Sequence, residues 1–281
     1  VTLPAIEENW SECQECDLGV SRIQVGGSFV FGEGDDRGVM FIGEGPGKDE
    51  EAHGRPFIGR SGQFLRDMLK ELEFKRYYIT NAVCCRSWDY AYDNQGNKLT
   101  RKNWKTKKEE YVVKDDTPKP SQMLACRPRL WHQVYAVDPV LIVTLGGSAA
   151  ESVLGRSVKI QAENGTLQKV SIPGAGFIPQ LTPKGAWARK VRGQLIAPYK
   201  QNLVTYPVIP IIHPAFAAAN RKDRRLGSPM HHFVSGLQKA RNIYAAYMQE
   251  VYGESVVKYE LSDDAVDASL DEEVYIGSDY D

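Results

Sequence analysis

The stretch GVMFIGEGPGKDEEAHGRPFIG, residues 38–59, carries an apolar run into a glycine-rich turn, then acids, then Gly-Arg-Pro-Phe. The run GVMFIG (38–43) is too short for a helix and apolar throughout, which predicts a buried strand. Three further segments read the same way: YYITNAV (77–83), PVLIVTLG (139–146) and YPVIPIIHP (206–214). Segments of helical periodicity separate them. In SGQFLRDMLKELEF, Phe64, Leu65, Met68, Leu69 and Leu72 fall on one face behind Ser61, a candidate cap. SQMLACRPRLWHQVYAV follows the second strand, SAAESVLG the third and HHFVSGLQKARNIYAAYMQEVY the fourth. This alternation predicts an α/β fold, a three-layer α/β/α sandwich around a central, mostly parallel four-stranded sheet.

The glycines of the opening stretch suggest a phosphate cradle, but the spacing excludes one. A P-loop needs glycine five positions before its Gly-Lys and a hydroxyl after it; Gly47-Lys48 has Ile42 and Asp49 there. The dinucleotide fingerprint fits Gly43 and Gly45 but meets Lys48 at its third glycine, and Asp49, Glu50 and Glu51 would repel phosphate. What remains is a strand delivering Glu44 into a turn fixed by Gly45, Pro46 and Gly47. Ligand chemistry in an open α/β sheet gathers at the carboxyl ends of its strands. Asn81 lies near the end of the second strand, Gly146 ends the third and His213 the fourth, so a carboxylate, an amide and an imidazole converge on one edge.

With 281 residues, 42% hydrophobic and 25% charged, the chain reads as globular. No signal-peptide pattern or long apolar run is present, which predicts a cytoplasmic protein without membrane contact, at the nucleoid or, if virus-encoded, in an infected cell. Residues 1–252 are expected to form one domain, interrupted by insertions at 88–120 and 156–205, with an acidic, disordered tail over 253–281. In the first insertion Asn94-Gln95-Gly96-Asn97 predicts a hairpin turn beside a basic arm; the second predicts β-like excursions or loops. The net charge of −1 hides an asymmetry: residues 254–281 hold ten acids and one base, leaving the remainder at +8. A basic body fits a polyanionic partner, of which nucleic acid is the commonest.

Of the five cysteines, Cys13 and Cys16 form a C-x-x-C pair, Cys84 and Cys85 are adjacent and Cys126 stands apart. An odd count without a secretory pattern argues against a disulfide framework. Four thiolates including a C-x-x-C suit either tetrahedral zinc or an iron–sulfur cluster, and spacing does not choose between them.

Together these pieces resemble the family 4, iron–sulfur uracil-DNA glycosylases. The resemblance rests on GEGPGKDEEAHGRPFIGRSGQFL, YITNAVCCR, SQMLACRPRL, LIVTLGGSAAESVLG and IIHPAFAAANR, in that order. It spans about 11–87, 118–155 and 192–245, leaving out the insertions and the tail. It implies a structural 4Fe–4S cluster on Cys13, Cys16, Cys85 and Cys126, with Cys84 spare, and uracil-containing DNA, single- or double-stranded, as substrate.

The resemblance also implies roles. Glu44 would position or activate the attacking water, and His213 would donate to uracil O2. Gly45 shapes the turn, Phe57 stacks on the flipped base, Asn81 reads O4 and N3–H, and Glu50 lies beside C5, where it excludes the thymine methyl. Phe216 is the candidate wedge, with Arg221, Lys222, Arg224 and Arg225 as phosphate contacts. The arm 98–108, with Trp104 among six bases, is expected to add contacts. Arg221 follows His213 at a longer spacing than the family pattern, which leaves the wedge and local phosphate contacts open. No histidine lies between His53 and His132, so the nucleophile of relatives that trap uracil covalently is missing and turnover is expected. Two rivals are a same-fold glycosylase for another modified base and a catalytically idle iron–sulfur DNA-binding or replication-associated factor. Glu50 and Asn81 argue against the first; Glu44, Asn81 and His213 together argue against the second. A monomer is expected, and the acidic tail could dock a replication or repair partner or mimic DNA in cis.

Overall fold

The computed structural model describes residues 2–174, 203–223 and 225–253. Arg224, the tail from 254 on and the 175–202 part of the second insertion lie outside the described residues. Helices α1 (Leu3–Ser11) and α2 (Asp17–Val25) lead into strand β1 (Gly32–Gly34) and strand β2 (Val39–Gly43). Helices α3 (Lys48–His53) and α4 (Arg60–Glu71) follow, then β3 (Tyr77–Asn81). The first insertion holds four short strands, β4 (Trp88–Tyr90), β5 (Thr100–Lys102), β6 (Glu109–Tyr111) and β7 (Val113–Asp115). The chain continues through α5 (Pro120–Val137), β8 (Leu141–Leu145), α6 (Gly147–Leu154), α7 (Ile160–Glu163) and β9 (Gln168–Pro173). It closes with β10 (Leu203–Ile211), α8 (Pro214–Ala219) and α9 (Pro229–Tyr252). No helix among the described residues is long and apolar enough to cross a membrane.

The sheet order is β1-β3-β2-β8-β10-β9. Its four central strands are parallel, as the apolar runs predict. The sheet has six strands rather than four because β1 pairs antiparallel with β3 and β9 antiparallel with β10 at the edges. β1 is only Gly-Glu-Gly, with no side-chain pattern to betray it. β9 lies in the second insertion, for which β-like excursions or loops are expected.

All five residues of β2 and of β8 are buried, and their side chains alternate between two cores. Val39, Phe41, Leu141, Val143 and Ile209 face Leu65 and Leu69 of α4 and Phe233 and Leu237 of α9. Met40, Ile42, Ile142 and Val208 face Leu130 and Val134 of α5 and Val153 of α6. That is the three-layer sandwich. Each such side chain contributes about 1.5–3 kcal/mol relative to exposure, so the central strands anchor the edge where they end.

Candidate active site

At the end of β2 the chain turns through Glu44-Gly45-Pro46-Gly47 into α3. Glu50 braces this turn. Its Oε2 accepts from the Gly47 N–H at 3.1 Å, and its Oε1 from the N–H groups of Ile58 and Gly59 at 3.1 and 2.9 Å. The Gly47 amide, which a phosphate would need, is thus occupied by a carboxylate. Glu50 is half-buried, and both of its oxygens are engaged.

Phe57 sits at a φ of +54°, a strained left-handed conformation for a residue with a Cβ. Arg66 of α4 holds it there, donating to the Phe57 and Pro56 carbonyls at 3.0 and 2.9 Å. Arg66 is anchored in turn by Glu33 at 2.6 Å, which also takes the fork of Arg55. Arg55 and Arg66 hold the Glu33 carboxyl below the usual carboxylate range. Two glycines make room for Phe57, Gly62 for its backbone and Gly43 for its ring. A Cβ on Gly62 would lie 2.2 Å from the Phe57 carbonyl carbon. A Cβ on Gly43 would lie 2.4 Å from the Phe57 ring and 2.5 Å from Asn81 Oδ1. The ring and the amide therefore meet over a bare strand end.

Asn81 is the last residue of β3, paired with Gly43. Fully buried Arg129 of α5 donates to the carbonyls of Asn81 and Ala82 at 2.9 and 2.7 Å, fixing the strand end. The Asn81 side-chain amide has no hydrogen-bond partner among the described residues and lines the cleft. His213 lies two residues beyond β10 as the N-cap of α8, where its Nδ1 accepts from the Ala215 N–H at 3.1 Å. That bond leaves the neutral ring's proton on Nε2. Burial pushes the His213 pKa down to about 4, so the neutral form prevails at neutral pH. The Glu44 carboxylate, unlike that of Glu50, has no hydrogen bond or ion pair among the described residues.

These groups line one cleft of about 1640 Å³, together with Gly45, Arg221 and Lys222. Seven carboxylates and four Lys or Arg side chains border it, so its walls are acidic. Phe216 projects from α8 outside that wall, 48% exposed. Arg225, 88% exposed, pairs with Asp223 through two bonds of 2.9 and 2.8 Å. Leu226, 83% exposed just beyond, is a second wedge candidate that apolar periodicity could not single out in a turn. Arg66 and Arg129 also escape sequence reading, since their partners are distant backbone carbonyls.

Cys16 caps α2, Cys85 follows β3 and Cys126 lies on α5; all three pack around Leu18, Val83 and Met123. Cys13 and Cys16 both sense the charge of Cys126, and Cys85 senses Cys126 and Cys16. Burial pushes Cys13 and Cys85 up to about 12, and Cys16 up as well. A hydrogen bond from Cys84 and the guanidinium of Arg129, 3.4 Å from Sγ, hold Cys126 down. Cys84 is fully buried against the Phe31 carbonyl. Among the described residues no three His, Cys, Asp or Glu side chains converge on one point as ligands of a single ion. Zinc requires all its sulfurs about 2.3 Å from one centre, whereas a 4Fe–4S cluster gives each thiolate its own iron and asks only that they ring a common space. Cys16, Cys85 and Cys126 share one apolar cluster, a common surround that either kind of thiolate centre needs.

The sequence model of the Uracil DNA glycosylase superfamily matches residues 31–238. The chain is 32% identical over 164 residues to a type-4 uracil-DNA glycosylase of Thermotoga maritima, covering 57% of this chain and 70% of that one. It is 28% identical over 230 residues to the type-4 enzyme of Sulfurisphaera tokodaii, covering 80% of each. To that of Saccharolobus solfataricus it is 27% identical, covering 80% of this chain and 81% of the relative. With a fold, a cleft and relatives that agree, the chain belongs to the uracil DNA glycosylase superfamily, in its type-4 family.

Proposed function

We propose that the chain hydrolyses the N-glycosidic bond of uracil in DNA and leaves an abasic site, the first step of base excision repair. The observation that carries this reading is the meeting of an unengaged acid (Glu44), an unengaged amide (Asn81) and a neutral imidazole in one cleft beside the Phe57 ring. The target base leaves the stack at a cost of a few kcal/mol. It lies on Phe57, while Asn81 donates to O4 and accepts from N3–H. Cytosine presents the reverse pattern there and is refused, a polar mismatch that discriminates far better than size.

Bond cleavage sends the N1–C1′ electron pair onto the base and leaves an oxocarbenium-like sugar. The His213 Nε2–H donates to O2, where negative charge develops, an oxyanion-type contact worth about 10²–10³ in rate. Glu44 stabilises the cationic sugar, orients a water toward C1′ and takes its proton as the C–O bond forms. Glu50 holds the turn and the Phe57 loop in register, and its place on the cleft wall supports a second task of crowding C5.

Cys13, Cys16, Cys85 and Cys126 would hold a 4Fe–4S cluster, whose contribution is to tie the α2 entrance, the end of β3 and α5 together. Its positive iron would offset the cost of ionising Cys13, Cys16 and Cys85, which burial otherwise keeps protonated. Arg221 and Lys222 at the cleft edge, with Arg224, are assigned to phosphates and Phe216 to the vacated stack. Residues 1–252 would act as a monomeric domain, and the acidic tail would serve a repair or replication partner.

The test is a labelled oligonucleotide with one uracil, single-stranded or opposite G or A, treated with alkali after reaction. Cleavage at the uracil with release of free base is expected. No abasic product under single turnover overturns the reading, and a denaturation-resistant protein–DNA band replaces turnover by trapping.

A further inference from the structure

We propose that the β-arm of the first insertion is a second nucleic-acid contact: a stacking platform that grips an unpaired segment of DNA beyond the cleft. The proposal uses the glycosylase reading only to say why such a segment would be present. The arm is ordered along its length. β4 pairs with β7 at its root and β5 with β6 near its tip. Backbone bonds from Ala91 to Val112, Leu99 to Ala91 and Val112 to Leu99 join the two pairs. The Lys98 ammonium lies 3.6 Å from the Tyr90 ring centre and 5.5 Å from that of Tyr111, stiffening the middle. At the tip Asn103 Oδ1 accepts from the N–H groups of Lys105 and Thr106, and Asn103 and Lys107–Lys108 close the turn through their backbones.

This tip presents Trp104, 75% exposed, whose ring has the Lys105 ammonium 5.2 Å from its centre. Tryptophan is the largest apolar side chain, and here it is held away from every core of the described residues on a fixed turn. Residues 98–108 carry six bases and no acid. Glu110 and Glu109 stand across from Arg101 and Lys102 in the β5–β6 pair, while Lys105, Lys107 and Lys108 at the tip have no ion pair among the described residues. A flat aromatic face with unpaired cations beside it is the chemistry that binds single strands, bases on the ring and phosphates on the ammonium groups.

The arm's root borders the same cleft. Ser87, Asp115 and Asp116 form part of the cleft wall. Arg86, 8% exposed, clamps the root by bonding Asp115 at 2.5 Å and reaching Glu51 of α3 at 3.5 Å. Asp115 and Asp116 lie at the root on the cleft wall, and Lys105, Lys107 and Lys108 lie at the tip. A strand leaving the acidic cleft is repelled at its wall and held further out, where the cleft itself offers few cations. A duplex would hide its bases from Trp104, so the platform selects an unpaired segment.

The test uses the full chain and a fluorescein-labelled oligothymidylate without uracil, followed by anisotropy over a salt series, with a duplex of equal length in parallel. Trp104→Ala should weaken single-strand binding about 5- to 100-fold, and Trp104→Phe should keep most of the affinity. Lys105→Glu with K107E and K108E should lower the slope of log affinity against log salt by about 2. Unchanged thermal melting verifies that the tip variants fold. Unchanged single-strand affinity, an equal loss on duplex, or a loss in W104F as large as in W104A overturns the proposal. Because the probe holds no uracil, failure of excision by the unaltered chain would sink the glycosylase reading and leave this result standing, and the reverse holds too.

Discussion

Replacing Gly43 by alanine should separate chemistry from DNA binding. The new Cβ would stand 2.4 Å from the Phe57 ring and 2.5 Å from Asn81 Oδ1. Ordinary contact needs about 3.5 Å, so each of the two groups must give way by about 1 Å. Neither retreats freely: Phe57 is held by Arg66 and by the close approach of Gly62, and the Asn81 backbone by Arg129. Gly43 lacks a positive φ, so the cost is steric and not conformational. A misplacement of about 1 Å at a reacting centre costs about 10²-fold in rate, and overpacking costs about 1–3 kcal/mol of stability. The assay is single-turnover uracil excision at saturating protein, with affinity for an abasic-site oligonucleotide and a thermal melt in parallel. The rate should fall about 10²-fold while affinity stays within about threefold. A rate within about threefold of the unaltered protein would refute the claim that Phe57 and Asn81 jointly frame the base.

Other consequences are as direct. The His213 imidazole should titrate near 4 by nitrogen NMR, and its contribution to stability, complete above about 6.5, should be lost as pH falls toward 4, because the unfolded chain takes the proton first; a midpoint near 6.5 would return the ring to an ordinary surface site. Glu50→Ala frees three backbone N–H groups and should cost about 1.5–3 kcal/mol in a melt while lowering excision. If the same variant gains activity on thymine, Glu50 also guards C5; if it gains none, the brace is its whole role. Purified protein should carry about four iron and four sulfide per chain, and a single zinc would overturn the cluster assignment.

The four central strands were legible because parallel strands buried on both faces read as unbroken apolar runs. The edge strands were not: Gly32–Gly34 has no side chains to pattern, and β9 sits in an insertion without a strong period. Asn81 and His213 were found from chain direction alone, since both fall where central strands end. Glu50 and Phe57 came from resemblance, and the partners that define them were invisible. Glu50 bonds amides three residues before it and eight and nine after it, across a turn and a loop. Arg129 reaches strand ends nearly fifty positions away. Such long-range bonds leave no periodic trace, so the sequence names the reacting groups more readily than what holds them.

The central claim is that Glu44, left unengaged where Glu50 is fully bonded, acts on the sugar and water rather than on the grip of DNA. The most direct test is Glu44→Ala, measured for single-turnover excision and for DNA affinity on the same oligonucleotide. The account predicts a rate loss of about 10²–10⁴-fold with affinity nearly unchanged. Equal loss of rate and affinity, or no loss of rate, would contradict it.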